Sequence, residues 1–204
     1  MSWEDDWFSA EPPAEDEEGL EVAASFRPAA GGAAAYFEEA QAGVIRYLVM
    51  QVAELVSADS TAADAGVDSD DLEAQLGLSS HATLPDDPVL ARLLPDGYSD
   101  DPAASAEFRR YTEESLRSGK IAAAQTVLSS LPPGGGQVQL SEPECQQWLK
   151  ALNDVRLALS VRLGITDENE DISERLSADD PRAAYIWVYQ WLAYLQESLV
   201  EALS

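Results

Sequence analysis

Ser141-Glu142-Pro143-Glu144-Cys145-Gln146-Gln147-Trp148-Leu149-Lys150-Ala151-Leu152-Asn153-Asp154-Val155-Arg156-Leu157-Ala158-Leu159 is the stretch on which the fold turns. Its first four residues form a capping box, in which a serine and the acid three places on satisfy backbone donors that a helix start leaves orphaned. Cys145, Trp148, Leu152, Val155, Leu159 and Leu163 then recur at helical spacing, and Gly164 supplies a left-handed end. So regular a stripe predicts a helix that buries one whole face.

A buried stripe needs partners, and the sequence offers them. After Asp179-Asp180-Pro181 a last helix carries Tyr185, Val188, Leu192, Leu195 and Leu199 on one face, with Trp187, Trp191 and Tyr194 beside it. An apolar arc that broad marks a helix surrounded by others. A first helix is read from Phe37, Ala40, Val44, Leu48, Val52 and Leu55, flanked by Ile45, Val49 and Val56. Ser57 to Thr83 reads as a loop with at most one short helix. Pro88 opens a short helix closed by Pro95-Asp96-Gly97, and Asp101-Pro102 starts a longer one through Phe108, Tyr111 and Leu116. That helix is expected to break at Gly119 and resume through Ile121, Ala124 and Leu128 to Pro132-Pro133. Short alternating segments between Leu20 and Phe37 suit a β-hairpin, and Gln137 to Leu140 a further strand after the Gly134–Gly136 connector. The expected fold is mainly α: a compact bundle of about five helices, a small N-terminal β-hairpin and one further short strand.

The 204 residues fit one domain. Residues 1–25 hold nine acidic and no basic side chains and the pair Pro12-Pro13, which predicts a disordered acidic tail ahead of a single helical domain over residues 26–204. Trp3, Trp7 and Phe8 within that tail read either as a short binding motif or as incidental aromatics. The formal charge is −26, of which −17 remains when the tail's nine charges are set aside. Such a surface repels phosphate backbones and anionic lipid, disfavouring nucleic acid and membrane as partners. The start Met1-Ser2-Trp3-Glu4-Asp5-Asp6 lacks the basic and apolar regions of a signal peptide, and no apolar run approaches about 20 residues. With Cys145 the only cysteine, a reducing cytoplasm is the expected location.

Three strings, Leu93-Leu94-Pro95, Trp148 to Leu159, and Tyr189-Gln190-Trp191-Leu192-Ala193-Tyr194-Leu195-Gln196-Glu197, together resemble the actinobacterial family known as domain of unknown function 2017, DUF2017. The likeness runs from about Phe26 to Leu203. It implies a regulatory protein, since members carry the label transcriptional regulator, and it implies no catalytic residues.

The residue types that carry chemistry lead to the same expectation. His81 and Cys145 stand in segments without ligand spacing, so no metal is expected. Asp167, Asn169 and Asp171 imitate the start of a calcium loop, but Ile172 occupies the glycine position and Ala178 that of the bidentate acid. Gly134–Gly136 has no following Lys-Ser or Lys-Thr, and no Gly-x-Ser-x-Gly elbow exists. No cofactor and no enzymatic activity are therefore expected.

Two polar groupings remain. Asn153, Arg156 and Glu197 lie within the strongest helices, where Arg156 pairs with Glu197 to set helix register, or the same residues recognise a polar ligand. Arg109, Arg110, Arg117 and Lys120 form the densest basic cluster, a candidate DNA-contacting edge diluted by Glu107, Glu113 and Glu114. The leading expectation is a non-enzymatic module for protein–protein interaction or regulation. The alternative is a transcriptional regulator binding DNA through that basic edge. A carboxylate hydrolase finds no constellation.

Overall fold

A computed structural model describes residues 24–64, 84–98, 100–166 and 182–204. The expected tail, His81 and the calcium-like loop at Asp167–Asp171 lie outside them, save that Ala24 and Ser25 are described and Ala24 is buried. In chain order the described elements are β1 (Arg27–Ala29), β2 (Gly32–Phe37), α1 (Glu39–Asp64), α2 (Pro88–Leu93), α3 (Pro102–Ser130), β3 (Gly136–Ser141), α4 (Glu142–Leu163) and α5 (Arg182–Ala202). The chain is thus mainly helical, with a β1–β2 hairpin and one further strand.

Helix α4 is central and packs against α1, α2, α3 and α5. Its stripe from Cys145 to Leu163 is buried throughout, and Leu192, Leu195 and Leu199 of α5 lie in the same core. Glu144 Oε2 accepts the Ser141 N–H at 2.8 Å and the Ser141 hydroxyl at 2.6 Å, and these bonds hold its carboxyl below the usual range. Gly164 closes the helix at φ 65°.

The three strands form an antiparallel sheet in the order β1-β2-β3. Alternation along β2 and β3 turns Ala33, Ala35, Phe37, Val138 and Leu140 inward, where Phe37 stacks on Trp148 at 5.8 Å and Phe26 meets both rings edge-on. Gly32 is required here, since a Cβ would stand 2.0 Å from the Leu140 carbonyl oxygen of the neighbouring strand. Gly135 of the triple glycine likewise lets the chain pass the end of β2, with a Cβ meeting the Phe37 oxygen at 2.6 Å.

Three sequence expectations change. Helix α1 runs on to Asp64 where a loop was expected from Ser57, because the alanines of that stretch favour helix. Helix α3 continues unbroken through Gly119, which is exposed and costs a helix interior only about 1 kcal/mol. The centre of the buried face of α1 is Ile45, Val49, Val52 and Val56, while Ala40 faces solvent and Phe37 belongs to β2.

Candidate functional site

The first half of α3 is turned inside out. Residues 105, 109, 113 and 117 succeed one another at one helical turn and share a face. That face is buried although it carries Ser105, Arg109, Glu113 and Arg117. The opposite face carries Phe108 and Tyr111, which are 44% and 64% exposed, with Leu116 exposed nearby. Phe108, Tyr111 and Leu116, the residues through which the sequence traces this helix, are thus all exposed. Apolar packing of α3 begins only at Ile121, followed by the buried Ala123, Ala124 and Val127.

The buried charges bond to one another, leaving Arg109 Nε without a hydrogen-bond partner among the described residues. Glu113, fully buried, receives Arg109 Nη1 at 2.8 Å on one oxygen and Arg117 Nε and Nη2 at 2.9 and 2.7 Å on the other. Arg117 Nη1 donates to the Val56 carbonyl at 2.7 Å, reaching α1. Arg109 Nη2 donates to the Leu94 carbonyl at 3.0 Å and to Asp96 at 2.8 Å, reaching the loop after α2. Burial works against the charge on Arg109, but Asp96 and Glu113 outweigh it and raise its pKa above the usual guanidinium value. One carboxylate and two guanidinium groups thus fasten α1, α2 and α3 together.

The same network fixes an aromatic platform on the outer face. Beyond Asp96 the chain returns as Gly97-Tyr98, where Ser105 Oγ accepts the Tyr98 N–H at 3.0 Å and donates to the Tyr98 carbonyl at 2.6 Å. The Tyr98 ring meets Phe108 edge-on at 5.9 Å. Phe108 lies across Gly97 so closely that a Cβ there would stand 2.7 Å from its ring. Tyr98, Ala104, Glu107, Phe108 and Tyr111 line an open cleft of about 270 Å³. Asp101 anchors this end of α3 by accepting the N–H groups of Ala103 and Ala104.

The basic edge expected from Arg109, Arg110, Arg117 and Lys120 is therefore not a surface feature. Arg109 and Arg117 point inward, Arg110 is half-buried and already engaged, and Lys120 Nζ donates to Asp154 of α4 at 2.7 Å. Desolvation pushes the Asp154 pKa up and Lys120 opposes it. The Asn153–Arg156–Glu197 grouping also dissolves. Arg156 does sit at the α4–α5 seam, but its Nη1 donates to Gln196 at 2.8 Å and its guanidinium lies 5.2 Å from the Tyr189 ring centre. Glu197, one residue and about 100° further round its helix, is exposed, as is Asn153.

The residues missed from the sequence were Glu113, which looked like a diluting charge, and Gly97, Tyr98 and Ser105. For Glu113 a signal was present: Arg109, Glu113 and Arg117 are spaced i, i+4, i+8, placing opposite charges in register along one face. Arg46 was missed too. Its Nη1 bridges the Leu128 and Leu131 carbonyls at 2.7 and 2.9 Å, and so caps the end of α3 from α1.

No group of three or more His, Cys, Asp or Glu among the described residues suits a metal, and no described helix is long and apolar enough to cross a membrane. Fold and surface define a helical protein whose distinguishing chemistry is an aromatic outer face held by a buried ion network. The chain belongs to the DUF2017 family, a domain of unknown function whose profile matches residues 23–203. Among similar proteins is the oxidative stress regulator AosR of Mycobacterium tuberculosis strain H37Rv, 41% identical over 151 residues, 67% of this chain and 68% of that protein. The same figures hold for AosR of Mycobacterium bovis. A putative oxidative stress regulator AosR of Mycobacterium leprae is 40% identical over 148 residues, 66% of this chain and 67% of its own. These relatives are named as regulators, none as an enzyme. No solved structure matches the chain.

Proposed function

We propose that this protein is a non-enzymatic regulator that acts by contacting another protein through the outer face of α3. The observation that carries this reading is the inversion of that helix: it buries Arg109, Glu113 and Arg117 while leaving Phe108 and Tyr111 in solvent. The buried charges fasten α3 to its neighbours, but that fastening does not call for aromatic rings left in solvent. Where a local rule is broken without benefit to folding, function is the usual reason. Exposed aromatics set on a rigid support are the side chains that dominate protein interfaces.

The relatives' name supports a regulatory role and suggests oxidative stress as its context. Cys145 is buried, and desolvation raises its thiol pKa, so it offers no ready thiolate to an oxidant. It also has no second cysteine with which to form a disulfide within this chain. Cys145 therefore carries no oxidant-sensing role in this reading.

The DNA-binding alternative draws no support from Arg109 and Arg117, which are buried and engaged by Glu113 and Asp96, nor from Lys120, held by Asp154. A gel shift with duplex DNA at physiological ionic strength is expected to show no retention. The protein-contact reading is tested by affinity capture from the native host with the full chain and with Tyr111→Ser. A partner retained by the first and lost by the second, at equal thermal stability, supports the reading. Equal retention by both overturns it.

A further inference from the structure

We propose that the cleft between Tyr98, Phe108 and Tyr111 receives an arginine side chain presented by a basic segment of the partner. This rests on the protein-contact reading above and adds the chemistry of what binds. Three exposed rings, of which Tyr98 is 53%, Phe108 44% and Tyr111 64% accessible, line one small volume. A cation over an aromatic face is attracted by the ring quadrupole, and a planar guanidinium stacks on it as an ammonium does not. One carboxylate, Glu107, lines the same cleft, so a cation there meets both a π-surface and an opposite charge.

Acidic side chains also flank the cleft, and the neighbouring cation Arg110 is half-buried and already engaged. Glu107 and Glu114 stand four residues before and three after Tyr111, one turn away on either side, and both are exposed. With a chain charge of −26, long-range attraction favours a basic partner and opposes a second copy of this chain, which would bring like charges face to face. The cleft is also built before anything binds. Ser105 holds the Tyr98 backbone by two hydrogen bonds, Gly97 seats Phe108, and Arg109 ties the approach through Leu94 and Asp96. Preorganised rings lose little freedom on binding, which is what makes a shallow cleft worth occupying.

The test uses the full chain and, as probe, a blocked hexapeptide of alternating alanine and arginine, with a twin carrying citrulline in place of arginine. Citrulline keeps the shape and removes the charge. Titration followed by NMR at about 0.15 M salt, where long-range screening is strong, is expected to shift the resonances of Tyr98, Phe108 and Tyr111 with the arginine peptide alone. Tyr111→Ser should weaken binding by roughly 2- to 30-fold, the range a cation over an aromatic face supplies, and Glu107→Gln by roughly 1.4- to 5-fold, the range of an exposed ion pair. Equal shifts from the citrulline peptide, or shifts spread evenly over the acidic surface and unchanged in both variants, overturn the proposal.

A photo-crosslinking amino acid placed at position 111 in the native host separates this proposal from the reading beneath it. A crosslink to an arginine-bearing segment supports both. A crosslink to a segment without arginine overturns the cation and leaves the protein contact standing. Crosslinks from position 194, where Tyr194 is also exposed, with none from 111 overturn the protein contact at α3 itself.

Discussion

Arg117 clasps Glu113 from one helical turn away, placing Nε at 2.9 Å and Nη2 at 2.7 Å from the same carboxylate oxygen, with both side chains out of solvent. Arg109 occupies the other oxygen from the preceding turn. A carboxylate so enclosed makes the two arginines tolerable inside the protein, and they in turn hold α1 and the α2–α3 loop.

Removing that carboxylate takes away the counter-charge that two buried cations share, although Arg109 keeps Asp96. Glu113→Ala is expected to destabilise by about 3–5 kcal/mol in urea unfolding, the usual cost of breaking a buried ion pair from one side. The triple change Arg109→Met, Glu113→Leu, Arg117→Met should recover most of that loss, since apolar groups of similar volume replace such networks well. A triple variant as unstable as Glu113→Ala would count against this account.

At the α4–α5 seam Arg156 bonds to a neutral partner, Gln196, so its loss strands no charge. Arg156→Met is expected to cost below about 1.5 kcal/mol without any change at Glu197, the worth of an ordinary hydrogen bond. Glu197→Ala should lie within about 0.5 kcal/mol of the parent, as exposed positions do. Chemical denaturation of the two single variants checks both, and strong destabilisation by Arg156→Met would restore a buried acid as its partner.

Cys145 sits fully buried at the start of α4 and its thiol is pushed up by desolvation. An aromatic disulfide reagent is expected to label it slowly in the folded protein and rapidly in denaturant, because the thiolate is the reacting form and access requires opening. Fast labelling of the native protein would reopen a sensing role for this residue.

The capping box gives a pH dependence with a defined sign. Because Ser141 holds the Glu144 carboxyl below its usual range, the contribution of the ionised acid is fully present above the unfolded value. It is lost as pH falls through the lower folded value, in a window below about pH 4.3, the ordinary glutamate value. Ser141→Ala should cost about 1 kcal/mol at neutral pH, and the difference from the parent should shrink in that acid window. Urea midpoints at pH 7 and pH 3 measure it, and a gap that widens in acid would refute the assignment.

Much of the architecture was legible in the order of the residues. The box at Ser141–Glu144, the stripe from Cys145 to Leu163 and the proline starts at Pro88 and Pro102 each depend on hydrogen bonds and periodicities within a few residues of chain. Such local rules also excluded a disulfide, and they pointed to helices around α4. Which face of α3 would be buried was not local. Phe108, Tyr111 and Leu116 form as plausible a stripe as any, and they lost to Arg109, Glu113 and Arg117 because Val56, Leu94 and Asp96 arrive from elsewhere in the chain to complete the charges' hydrogen bonds. The same holds for Arg156, for which the tertiary seam chose Gln196 over Glu197 by a rotation of one residue about α5. Spacing along a helix determines which side chains share a face; only the packing of distant segments decides whether that face can satisfy its polar groups away from water, and hence whether it turns inward.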